Sequence, residues 1–98
     1  MIEKLADAYS LAKDQFARDG IALELTMPES SGGKVAARID ATSTRGFGQL
    51  IVWTTGEAEL VIADVSSGRI AIDEHREITS EIGMKDAMQT LYAHLVES

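Results

Sequence analysis

Between Gly46 and Glu77 the chain reads GFGQLIVWTTGEAELVIADVSSGRIAIDEHRE, a run rich in β-branched and aliphatic residues and broken only by short turn signals. Phe47 to Thr55 reads as one strand, Glu57 to Val65 as a second, and Arg69 to about Glu77 as a third. The reversals between them, at Thr55-Gly56 and at Ser66-Ser67-Gly68, leave no room for the long crossover that parallel neighbours need. The stretch therefore predicts an antiparallel meander.

Its first two strands are apolar on both faces. Leu50 and Val52 oppose Ile51 and Trp53, and Leu60 and Ile62 oppose Val61, Ala63 and Val65. A strand of that kind belongs in the centre of a sheet covered on both sides, or it presents one face to a partner. Trp53, the sole tryptophan, carries the same choice between a core anchor and an interface anchor.

The flanks supply the rest of the fold. Ile2, Leu5, Tyr9, Ala12 and Phe16 recur at helical spacing, and Gly20 ends that helix with Lys13 and Arg18 near its negative end. Ile21, Leu23, Leu25 and Met27 alternate as a strand that Pro28 closes. The tract Glu29 to Lys34 reads as a turn, and Val35, Ala37, Ile39 and Ala41 form another strand with Lys34, Arg38 and Asp40 facing outward. At the far end Met84, Ala87, Met88, Leu91 and Leu95 define a second helix, with Thr79 or Ser80 as its cap. Gly83 weakens its first turn and predicts a regular helix only from that point. The expected fold is α+β, a five-stranded antiparallel meander flanked by N-terminal and C-terminal helices, in a single domain spanning 1–98.

With no cysteine there is neither a disulfide framework nor a thiolate metal site. The first residues hold no secretory segment, no apolar run reaches the roughly 20 residues of a membrane span, and the expected location is cytoplasmic. Sixteen acidic residues against nine basic ones give a net charge of −7. That balance disfavours nucleic acid and anionic membranes and favours a basic partner. The excess is concentrated: residues 57–98 hold nine acids and three bases, against seven and six in residues 1–56.

Signs of catalysis are weak. His75 and His94 lie on different elements without the carboxylate pattern of a metal site. Within Asp73-Glu74-His75 alternation puts Asp73 and His75 on one strand face and Glu74 on the other. Gly46-Phe47-Gly48 enters a strand instead of opening a helix, so it lacks the geometry of a phosphate loop. No cofactor signature is present, and the chain reads as a binding protein, not an enzyme.

The run GQLIVWTTGEAELVIADVSSGRIAIDEHREITS resembles the central signature of the TriTu family of immunity proteins, small bacterial proteins found beside polymorphic toxin genes. In that family a G-x-(I/L)-x-V-W-x-(S/T)-G segment precedes a strand ending in Asp, a Gly turn, and a strand ending near E-H. Here the matching positions are Gly48, Leu50, Val52, Trp53, Thr55 and Gly56, then Leu60, Val61, Asp64 and Gly68, then Glu74 and His75. The resemblance implies a protein that binds and neutralises a cognate toxin.

A basic toxin would suit the acidic second half. The partner-binding candidates are Glu57, Glu59, Asp64, Asp73 and Glu74, with Trp53 as anchor. None of them comes from a family binding-site assignment. Two other readings stand beside this one: a two-faced sheet that pairs with itself as a homodimer, and a ligand pocket between helices and sheet.

Overall fold

The computed structural model describes residues 1–28 and 33–96. The helix α1 (Ile2–Arg18) leads into β1 (Ala22–Thr26), β2 (Ala36–Ser43), β3 (Gly46–Trp53), β4 (Glu57–Asp64), β5 (Arg69–Glu77) and the closing helix α2 (Glu81–Leu95). The strands form one antiparallel sheet in the order β1-β2-β3-β4-β5, the expected meander. Of the turn expected over Glu29 to Lys34, residues 29–32 lie outside the described residues.

Register explains which half of each strand is buried. Ile39, Leu50 and Leu60 are successive cross-strand neighbours, and all three are inaccessible to solvent. The same face carries Ala37, Ala41, Val52, Ala58 and Ile62. Over it lie both helices, which contribute Ile2, Leu5 and Phe16 from α1 and Met84, Ala87, Met88, Leu91 and Leu95 from α2 to one continuous core. Helices on one side of an antiparallel sheet make a two-layer α+β domain.

At Gly48 the close approach of α2 demands a missing side chain. A Cβ there would lie 2.5 Å from Cδ2 of Leu91 and 3.4 Å from both Ile62 and Leu95. At Gly56, φ is +92°, and its carbonyl accepts a 2.7 Å hydrogen bond from the Ile78 amide, so the β3–β4 turn also holds the segment leaving β5.

The helix ends are tied by side chains. The Ser80 hydroxyl accepts a hydrogen bond from the Gly83 amide at 3.2 Å, which starts α2 at Glu81. The expectation of a regular helix only from Gly83 is thereby corrected, because an N-cap satisfies an amide that the glycine leaves accessible. At the other end of the molecule the Tyr92 hydroxyl donates a 2.6 Å hydrogen bond to Asp19, and its ring meets Phe16 edge-on at 5.2 Å. These contacts fasten α2 to the C-terminus of α1.

Candidate functional site

Because both helices occupy one face, the other face of the sheet is covered by no element among the described residues. Among the described residues, then, β3 and β4 are covered on one face only. Alternation then dictates what the open face shows. From β2 it presents Arg38 and Asp40, and from β3 Phe47, Gln49, Ile51 and Trp53. From β4 come Glu57, Glu59, Val61 and Ala63, and from β5 Asp73, His75 and Glu77.

Trp53 is half-buried on this face and is absent from the cluster that packs beneath the helices, so it is not the core anchor that a lone tryptophan can be. The Lys34 ammonium sits 5.8 Å from the centre of its ring and also pairs with the Glu57 carboxylate. That Lys34 donation, helped by the lysine's charge and by a hydrogen bond from Thr55, holds the Glu57 carboxyl below its usual range. One row further along, Glu59 and His75 are direct cross-strand neighbours, with His75 Nδ1 3.1 Å from the Glu59 carboxylate. On β2 the Arg38 guanidinium and the Gln49 amide both donate to Asp40, at 2.9 and 3.0 Å.

Four of the six residues singled out from the sequence therefore share one surface: Trp53, Glu57, Glu59 and Asp73. The other two are elsewhere. Asp64 ends β4 and accepts hydrogen bonds from the amide and the hydroxyl of Ser66, both at 2.9 Å, which lower its carboxyl pKa and close the turn toward β5. Glu74 faces the helix side, opposite Leu60, where it accepts from Arg76; Arg76 in turn reaches Asp86 of α2 at 3.3 Å. Through that one guanidinium β5 is linked to α2.

Two apolar members of the open face escape a reading of the sequence. Phe47 is 57% exposed and Ile70 is 61% exposed, both flanking Ala63 across the strands. Regular alternation would place Ile70 on the same side as Ile72, packed on the core. The register slips between Ile62 and Ala63, however, so that Ile62 pairs with Ile72 while Ala63 pairs with Ile70. The bulge turns Ile70 outward. No local sequence signal marks that slip; Phe47, by contrast, could have been found from its odd position in the strand that buries Leu50 and Val52.

The open face thus has an apolar spine, Phe47, Ile51, Trp53, Val61 and Ile70, edged by charged side chains in which carboxylates outnumber Arg38 and Lys34. Apolar centres with charged rims are the anatomy of protein interfaces. A different concavity, a groove of about 730 Å³ between α1 and α2, is lined by Leu11, Met84 and Met88 together with a mixture of acids and lysines, Asp7, Glu81, Lys4 and Lys85. Among the described residues no three His, Cys, Asp or Glu side chains are grouped so as to hold a metal ion, and no helix is long and apolar enough to cross a membrane.

No curated protein matches the chain. A family model does: the model described as Immunity protein TriTu matches residues 3–94, which runs from the first turn of α1 to the last turn of α2 and includes every strand. The chain belongs to the TriTu family of immunity proteins.

Proposed function

We propose that this protein binds a cognate toxin and neutralises it by occupying a surface the toxin needs, and that the uncovered sheet face is where the toxin docks. The observation that carries the proposal is the coincidence of an apolar spine and a carboxylate rim on the one sheet face that no helix covers. Trp53, Glu57, Glu59 and Asp73 are its proposed contacts. Asp64 and Glu74, engaged in the β4–β5 turn and in the contact with α2, serve the fold of the binding surface instead.

Binding of this kind needs no chemistry. The face offers hydrophobic area, one aromatic anchor and fixed negative charge, which together favour fast and selective association with a basic protein. Self-association through the same face is disfavoured, since it would bring two negatively charged surfaces together. We expect it to act in the cytoplasm.

The test is co-expression with the product of the gene adjacent to this protein's own, the candidate toxin. Growth rescue together with a stoichiometric complex supports the proposal, and Glu59→Lys should then abolish rescue. Unrelieved toxicity, with no complex recovered, would refute it.

A further inference from the structure

The open face contains a conflict that sheet stability alone does not explain. Two of its cross-strand pairs set carboxylate directly opposite carboxylate: Glu24 of β1 faces Asp40 of β2, and Glu57 of β4 faces Glu77 of β5. Like charges in direct register work against strand pairing. Each pair is half relieved from within the chain, Asp40 by Arg38 and Glu57 by Lys34. Glu24 and Glu77 have no cationic partner among the described residues.

Each pair joins an edge strand, β1 or β5, to its inner neighbour, at opposite margins of the apolar spine. On a flat sheet with strands about 4.8 Å apart and a rise of about 3.4 Å per residue, they are separated by roughly 20 Å. Across the whole face, six carboxylates (Glu24, Asp40, Glu57, Glu59, Asp73 and Glu77) stand against Arg38 and Lys34, with His75 beside Glu59. A neutral side chain at Glu24 or Glu77 would hold the sheet better. Local costs of this kind are kept at functional sites.

We infer that the toxin presents a basic surface whose lysine or arginine side chains dock at two separate points, the Glu24/Asp40 pair and the Glu57/Glu77 pair, while an apolar part of the toxin covers the spine between them. The inference rests on the immunity reading and assigns Glu24 and Glu77, neither of them singled out by sequence, as specificity-determining residues. Charge complementarity identifies the occupant. A second copy of this chain would bring the same excess of carboxylates, and an apolar peptide would leave both pairs unrelieved.

Relief of the two pairs on binding has an unusual signature: the same substitutions should strengthen the free protein and weaken the complex. Glu24→Gln and Glu77→Gln keep side-chain size and remove only charge. Each is expected to raise the Tm of the free protein by about 1–4 °C. Each is expected to weaken affinity for the candidate toxin about tenfold, and the two losses should combine additively because the sites are far apart.

Calorimetric titration and thermal melts of the wild type and both variants read this out. Wild-type complex formation with affinity unchanged in the variants would overturn the two-point docking and leave the immunity reading standing. Failure of the wild type itself to bind would overturn both. A variant that bound weakly and also melted lower would point to damaged folding, and would equally contradict the inference.

Discussion

Leu91 of α2 lies so close above Gly48 of β3 that a β-carbon on the glycine would come within 2.5 Å of Leu91 Cδ2. The helix can seat on the sheet because that one strand position is empty. Gly48→Val should therefore act as an overpacking change and destabilise the protein by about 1–3 kcal/mol, measured by urea denaturation. Toxin binding per folded molecule should be unaffected, since the substituted side chain points away from the open face.

The two faces of β4 make a direct comparison. Leu60 is inaccessible to solvent, and Val61, the next residue, stands on the opposite side. Leu60→Ala is expected to cost about 2–5 kcal/mol of stability. Val61→Thr, which trades a methyl group for a hydroxyl on the open face, should stay within about 0.5 kcal/mol. Equal losses in denaturant melts would mean that the open face is covered after all.

Much of this layout is legible in the sequence, and the parts that are not have definable causes. The spacing of Ile2, Leu5 and Phe16, the alternation through Leu50, Val52, Leu60 and Ile62, and the serine at position 80 each report a local preference that the fold keeps. The outward turn of Ile70 depends on a bulge, and the meeting of Glu57 with Glu77 depends on strand register. Neither is encoded within one segment. The side on which Trp53 lies became decidable only once both helices were seen to choose the face of Leu50, because an apolar two-faced strand fits either arrangement.

The Lys34 contact with Glu57 gives the open face a defined acid response. Its folded-state carboxyl pKa is depressed, so the contribution to stability is fully present above the ordinary value of about 4.3 and is lost as pH falls through the lower folded value. Lys34→Met removes the largest cause of the depression. A carbon-detected NMR titration of Glu57 should show its pKa rising toward the ordinary carboxylate value in the variant, and an unchanged titration would show that Lys34 does not hold this carboxylate.

Tyr92 responds at the other extreme of pH. Its hydrogen bond to Asp19, followed by desolvation and the aspartate's charge, raises its pKa above 10. The folded-state value lies above the unfolded one, so this contact stabilises fully below about pH 10 and is lost as pH rises through the folded value. In an ultraviolet titration of tyrosinate absorbance, Asp19→Asn should shift the Tyr92 transition to lower pH. No shift would mean that the α1–α2 clasp is open in solution.

Docking on the uncovered face is tested most directly by the indole N–H resonance of Trp53, which has no counterpart elsewhere in the chain because Trp53 is its sole tryptophan. In a titration of nitrogen-15-labelled protein with the unlabelled toxin, that resonance should shift together with the amides of β3, β4 and β5 and saturate at one equivalent. An indole resonance that stays in place while residues around Leu11 and Met88 in the α1–α2 groove shift would contradict docking on the sheet and move the binding site to the helices.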